Sequence, residues 1–568
     1  MSSREVITLQ IGNYSNFIGT HWWNSQESSF CYEKTDSQSL EINHDYLFRE
    51  GENPRGEVTY TPRLMLIDLK ENFKTLNKCG VLYNMPVTNS PMPLWHGKLS
   101  TFKSDSLSKN EFLQDLDKEE EIAYPDLSLK MTSIDEDRDI CQAESSSSNS
   151  KLTESLEIPN RKFYDLDDRI TTWSDFLKIH YHPRSLCFIE DYGCENEFNG
   201  YGCGVEVFNR ENMYDLIDDT LRYFSEECDY LQGFHVLMDG YNGFTAIANG
   251  ILEHLEDSYS SKIRLCFPVY NSDFTLWRKK KVSHNDICQY YSSLMGYNSL
   301  AMYSHLFSPL DTNSHLYSGN PNINFPYLNY KTEMNYHTSS VLSIALDTIT
   351  LPMRMKSNAI HLNEMISSLT ILGQKLIPLT LCTPIPVEEH SYLNDVLNSS
   401  NNVNLVPLTP CCNIEQFDII SQFINIRGLP KSKFFNSHLK QNIKMTVEKV
   451  LGYFLQSKYP SSMNFWKICH EPYKTTAPFP HIFNSKINVR GYIGSSQRTV
   501  GTGVESISAI SGFHNTKNAS DSINVLLKST DKSKLKNFSC KGTGVESDDF
   551  EEALENLKVL VDCYKDRQ

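Results

Sequence analysis

The run Val6-Ile7-Thr8-Leu9-Gln10-Ile11 is short, apolar and rich in β-branched residues, and it predicts a strand. The turn-forming residues Gly12-Asn13-Tyr14-Ser15-Asn16 follow, and then a helix is expected from Phe17 through Trp22. Arg63-Leu64-Met65-Leu66-Ile67-Asp68-Leu69 is nearly continuous in apolar character. Such a run predicts a strand buried on both faces, as in a parallel sheet. Met213, Ile217, Leu221, Phe224 and Cys228 recur at steps of four, four, three and four, the signature of an amphipathic helix. Residues 231–238 predict another strand. The turn Asp239-Gly240-Tyr241-Asn242-Gly243 then leads to a helix with Phe244, Ile247, Ile251, Leu252 and Leu255 on one face. The alternation continues with a helix or turn over 341–354 stopped by Pro352, a helix over 362–372 and a strand near 376–382. A last helix over 548–564 carries Phe550, Leu554, Leu557, Val561 and Tyr564 on one face and an acidic first turn.

Strands alternating with helices make the chain α/β, with a parallel sheet flanked by helices. Residues 1–103 and 161–330 are expected to build that sheet, 331–435 a second, smaller α/β domain, and 436–568 a C-terminal region with helices. Residues 104–160 differ in character. Asp115, Asp117, Glu119, Glu120 and Glu121 form one acidic cluster, Asp135, Glu136, Asp137 and Asp139 another, and Ser145–Ser148 is a serine run. That composition predicts a disordered insertion, because it offers little apolar surface to offset the entropy of ordering.

Charge and cysteine usage narrow the classes. The 568 residues include 53 Lys+Arg against 70 Asp+Glu, a net charge of −17, which argues against a dedicated nucleic-acid binder. The 15 cysteines are scattered without a CxxC pair, as in a reducing compartment. The N-terminus has neither a signal-peptide nor a transit-peptide pattern, and no apolar run reaches membrane-spanning length. A cytosolic chain without a transmembrane segment is expected, with any membrane association peripheral.

Two strand–turn–helix junctions are the candidate chemistry. Such a junction presents free backbone N–H groups at a positive helix end, which suits phosphate. The candidate residues are Gly12, Asn13 and Tyr14 at the first junction and Gly240, Asn242, Gly243 and Thr245 at the second. Asp68, near a strand end, is a candidate ligand-facing carboxylate. An ordinary βα connection is the simpler reading of each. No Walker A loop or GxSxG elbow occurs, so no catalytic residue is assigned. His180 and His182 lack further identifiable ligands, so no metal site is assigned either. Arg278-Lys279-Lys280-Lys281 is a compact basic run that reads as a solvated loop. The hexapeptide GTGVES occurs at 501–506 and 542–547, and each copy is expected to cap a following helix through its serine.

Several segments carry a family resemblance. Residues 4–23, REVITLQIGNYSNFIGTHWW, resemble the opening of tubulins, and Tyr60-Thr61-Pro62-Arg63 through Asp68-Leu69 resembles a second tubulin segment. Leu231-Gln232-Gly233-Phe234 matches the L-Q-G-F that precedes the tubulin phosphate loop. The closer resemblance is to the Misato family of tubulin-related proteins. It is carried by Gly19-Thr20-His21-Trp22-Trp23-Asn24, Trp173 to Leu177, His182 to Ser185, Glu226 to Phe234 and Gly544 to Asp549.

That resemblance implies a tubulin-like fold and a role in mitochondrial distribution, morphology and fusion, from the cytoplasm and the outer mitochondrial surface. It implies protein partners there, with tubulin or a chaperonin as candidates. Against tubulins, the glycine-rich phosphate loop has become Gly240-Tyr241-Asn242-Gly243-Phe244-Thr245-Ala246, with bulk where phosphate needs bare backbone. The base-reading asparagine falls at Ser339, and the acidic position of the hydrolytic loop falls at Met365, one step from Glu364. The reading is therefore a non-catalytic protein with no assigned cofactor. The alternatives are a GTP- or GDP-binding tubulin homologue, hydrolytic or not, and a factor for tubulin folding. Any nucleotide is expected to place its phosphates between Gly12-Asn13-Tyr14 and 240–245, in a space that Gly243→Trp would fill; the favoured reading is that Tyr241 and Phe244 already fill it as packing residues.

Overall fold

The computed structural model describes residues 4–30, 41–53, 56–74, 76, 108–123, 163–193, 197–274, 283–312, 323, 325–388, 403–429, 447–494, 496–499, 501–530 and 545–565. The second acidic cluster, the serine run, the run at 278–281 and residues 542–544 of the second GTGVES copy lie outside them.

Two sheets organise these residues. Strands β1 (Val6–Ile11), β4 (Leu64–Leu69), β5 (Leu186–Ile189), β6 (Gly233–Asp239), β7 (Ile263–Val269) and β8 (Leu306–Phe307) form the first, in the order β5-β4-β1-β6-β7-β8. All its pairs are parallel. The hairpin β2 (Phe48–Glu52) and β3 (Val58–Pro62) stands outside it. The second sheet is mixed: β9 (Leu379–Cys382), β10 (Val406–Pro407), β11 (Ile419–Arg427), β12 (Met463–Cys469) and β15 (Ala509–Thr516) run in the order β10-β9-β15-β11-β12. These strands come from both sides of residue 435, where a division is expected from sequence. The short strands β13 (Tyr473–Lys474) and β14 (Ser506–Ile507) pair with each other.

Among the described residues, the helices of eight or more residues are α1 (Asn13–Glu27), α2 (Glu111–Ala123), α3 (Tyr201–Phe208), α4 (Glu211–Glu226), α5 (Gly243–Ser258) and α6 (His284–Tyr303). They continue as α7 (Asn335–Thr350), α8 (Leu362–Leu369), α9 (Val447–Lys458), α10 (Ser520–Thr530) and α11 (Ser547–Asp562).

The period-two geometry of a strand explains the continuous apolar runs. On β4, Leu64 and Leu66 enter one core while Met65 and Ile67 enter another. The first core lies between the two sheets and is filled by α1 and α7, including Trp22, Trp23, Val341 and Ile344. The second lies on the opposite face, under α4, α5, α6 and α11. Met213, Ile217, Leu221 and Phe224 are the buried stripe of α4. A third, smaller core joins α9 to the outer face of the second sheet through Leu451, Leu455, Ile424 and Ile426.

Several expectations change. Helix α1 begins at Asn13 rather than Phe17, so the turn-forming residues are its first turn. The segment expected to be disordered includes α2, with Phe112 buried edge-on against Tyr164 and Asp115 accepting from the Tyr164 hydroxyl at 3.1 Å. One buried aromatic anchor gives that acidic stretch something to pack on. Ser506 of the first GTGVES copy lies in β14 and caps no helix. In the second copy, Ser547 is the first residue of α11, behind Glu546 at the N-cap. His180 pairs with Glu120 at 3.0 Å, and no group of three or more potential metal ligands is found among the described residues. Cys228 is a packed thiol, pushed up to about 12 by burial, donating to the Phe224 carbonyl at 3.1 Å.

Candidate functional site

Strands β1 and β6 are neighbours and parallel, so the two candidate junctions meet at one edge of the first sheet. That edge is where open α/β sheets hold ligands. Gly12 leaves β1 with φ +112°, a conformation that favours glycine. A Cβ there would also lie 2.5 Å from Cγ of Asp239.

Asp239 is the last residue of β6, and its carboxylate points across to α1. Ser15 N–H donates to Oδ1 at 2.8 Å and Tyr14 N–H to Oδ2 at 3.3 Å. These belong to the first turn of α1, where N–H groups have no partner within the helix. The carboxyl oxygens accept the amides of a helix N-terminus, in the position an incoming phosphate would need. It also explains why Asn13-Tyr14-Ser15-Asn16 is helical. Their local preference is for turns, but the tertiary contact satisfies the exposed amides. In the sequence Asp239 reads only as a turn residue. The available signal was an acidic residue ending a buried strand immediately before a glycine turn.

The second junction is closed by its own side chains. Asn242 donates from Nδ2 to Asp239 Oδ2 at 3.3 Å and accepts the Phe244 N–H at 3.0 Å, capping α5. Thr245 turns its hydroxyl back to the Asp239 carbonyl at 2.9 Å. Gly243 N–H donates to the Phe198 carbonyl at 3.1 Å, and a Cβ on Gly243 would lie 2.7 Å from the Phe198 ring. The space that Gly243→Trp was expected to fill is thus already taken by Phe198. The Gly240 carbonyl accepts from Ser293 at 2.8 Å, and a Cβ at 240 would meet the Tyr270 ring at 2.7 Å. Tyr241 and Phe244 are buried: Tyr241 lies near Tyr270 and Phe274, and Phe244 is edge-on to Phe198. Tyr14 is buried with its hydroxyl donating to Thr338 at 2.9 Å. Asn13 is half-buried at the start of α1, with its Oδ1 unpartnered among the described residues.

Asp68 lies on the far side of β1 and is saturated with donors. Trp173 Nε1 reaches Oδ2 at 2.7 Å and Asn16 Nδ2 at 3.0 Å, while Asn72 Nδ2 and the Leu69 N–H reach Oδ1 at 2.7 and 2.8 Å. Burial raises its pKa to about 6, and these hydrogen bonds oppose the rise. Burial raises Asp239 to about 7, with the neighbouring Asp68 charge adding to it and the N–H bonds opposing it. A bound phosphate would meet these two carboxylates, without a described cation pairing with either, so the residues present do not fit one. Ser339 is buried in α7 with its hydroxyl turned to the Tyr336 carbonyl at 3.4 Å. Met365 is buried in the core, while Glu364 beside it is exposed.

Comparison with known proteins agrees with this architecture. Residues 4–118 match the Misato Segment II tubulin-like domain, and residues 166–355 match the Tubulin domain. Protein misato homolog 1 of Danio rerio is 32% identical over 99% of this chain and 97% of its own length. Protein misato homolog 1 of Bos taurus is 30% identical over 99% and 98%. Protein misato of Drosophila melanogaster is 28% identical over 100% and 99%. With a tubulin-like first sheet and relatives aligned along almost their whole length, the chain belongs to the Misato family of tubulin-related proteins.

Proposed function

We propose that the chain is a non-catalytic, tubulin-like binding protein that regulates mitochondrial distribution, morphology and fusion. The observation that carries the non-catalytic part is the Asp239 carboxylate on the Tyr14 and Ser15 amides. A nucleotide phosphate would have to displace a buried side chain from its own hydrogen bonds and then sit beside Asp68. The mitochondrial part rests on the family resemblance. The chain acts, in this reading, from the cytoplasm and at the outer mitochondrial surface through protein partners, with tubulin or a chaperonin among the candidates. No helix among the described residues is long and apolar enough to cross a membrane, which fits peripheral attachment.

The test is depletion of the protein in its own cells, followed by imaging of the mitochondrial network. The expected outcome is a changed network that wild-type protein restores. An unchanged network on depletion removes the mitochondrial role. Saturable GTP binding by the purified protein would contradict the non-catalytic part.

A further inference from the structure

The two large sheets have four edge strands, and a bare edge is a template for another strand. Three of the four leave little room for pairing. Strands β8 and β10 have two residues each, with Pro407 in β10, and β5 has four. The fourth, β12, runs for seven residues, Met463–Cys469, and pairs only with β11, in parallel and without a bulge. Successive residues of a strand turn their N–H and C=O groups to opposite edges. The Cys469 carbonyl accepts the Gly428 N–H at 3.0 Å on the β11 side. Met463, Phe465 and Lys467 therefore also turn their backbone groups to β11, and Asn464 and Trp466 turn theirs outward. The edge is closed at one end, where the His470 N–H donates to the Glu41 carboxylate at 2.7 Å. Among the described residues, the outward N–H and C=O groups of Asn464 and Trp466 have no partner. Side chains alternate as well. Trp466 faces α9, where a Cβ on Gly452 would lie 2.8 Å from its ring. Met463, Phe465 and Lys467 share the other face, with Met463 49% and Phe465 40% exposed.

We propose that β12 is a dimerisation edge, which pairs antiparallel with β12 of a second copy of this chain about a two-fold axis at Phe465. The occupant follows from self-complementarity. In that register Asn464 stands opposite Trp466 of the second copy and exchanges both backbone bonds with it. Symmetry repeats the exchange, so every outward group of both residues gains a partner. Phe465 meets Phe465 of the second copy at the closer, non-hydrogen-bonded spacing, which forms an aromatic pair. Lys467, the only charged residue in β12, falls opposite Met463 rather than opposite itself, so no like charges meet. The residues used, Met463 to Lys467, are exposed or half-buried, whereas Ile468 and Cys469 are buried. Moving the axis to Trp466 would draw in Ile468, and moving it to Lys467 would set two lysines face to face. A strand of another protein would bond to the same backbone, but only a second copy supplies these side-chain pairs by symmetry. This inference does not depend on the proposed function.

The test is sedimentation velocity of the full chain from about 1 to about 100 µM, with dimer expected to predominate at the upper end. Phe465→Glu is expected to weaken association at least about tenfold, because the two-fold axis sets its two carboxylates face to face. Phe465 is exposed, so the fold is retained, and an unchanged thermal melt verifies this. Phe465→Cys locates the axis. Its counterpart Cα would lie about 4.5 Å away, within disulfide reach, so a mild oxidant should give a covalent dimer above the wild-type background. Lys467→Cys should not cross-link, because its counterpart lies four residues along the strand, about 14 Å away. A chain that stays monomeric at about 100 µM overturns the inference and leaves the edge to a strand of another protein. A dimer that Phe465→Glu leaves unchanged overturns it too, as does Phe465→Cys cross-linking no better than Lys467→Cys.

Discussion

Two buried aspartates, Asp239 at the edge of the first sheet and Asp347 between the sheets, are held in opposite ways. Asp347, on α7, accepts from Trp22 Nε1 at 2.7 Å and Arg354 Nη2 at 2.6 Å on Oδ1, and from Arg427 Nη1 on Oδ2. Burial pushes its carboxyl up, but Arg354 and Arg427 outweigh that and hold it below the usual carboxylate range. Asp239 has amide and side-chain donors, with Asp68 as a neighbouring charge, and burial wins. The first is a charged staple joining α1, α7 and β11. The second is an internal acceptor at a helix end, and burial favours its neutral form. Full charges stabilise a buried carboxylate far more than a few dipoles do, so the same residue type serves two purposes.

The comparison breaks first at Asp347. Asp347→Ala leaves Arg354 and Arg427 buried without their shared partner, and chemical denaturation should show a loss of about 3–5 kcal/mol. A loss under about 1 kcal/mol would mean that the staple contributes little.

Asp239 gives a smaller, pH-dependent effect. Its folded pKa of about 7 lies above its ordinary value of 3.8. Its contribution to stability is therefore fully present below about pH 3.8 and lost as pH rises through about 7. Asp239→Asn cannot titrate. The stability of wild type minus that of the variant should be larger at pH 5 than at pH 8, by on the order of 2–3 kcal/mol. Denaturation midpoints at the two pH values check this. A gap that does not change with pH would place Asp239 in an environment no different from water.

Much of this was legible in the residues and some was not. The continuous apolar runs of β1, β4 and β6 announced a two-faced parallel sheet, and the resemblance to tubulins supplied its ligand edge. The candidate residues Gly12, Asn13, Tyr14, Gly240, Asn242, Gly243 and Thr245 do meet there. The bulk of Tyr241 and Phe244 there was legible, but Phe198 and Tyr270 were not, because they reach the junction from other elements. Nor was the extent of α1, since a helix capped by a side chain 224 residues away leaves no local signal. The second sheet was harder still. Its strands are short or separated by long connections, and β11 pairs in parallel with β12 but antiparallel with β15.

The central claim is that Asp239 holds the place a nucleotide phosphate would take. Titrating GTP into concentrated, full-length wild-type protein in a calorimeter tests it most directly. The account predicts no saturable binding up to about 1 mM GTP, with ATP giving the same trace. Saturable, guanine-specific binding in the micromolar range would contradict it.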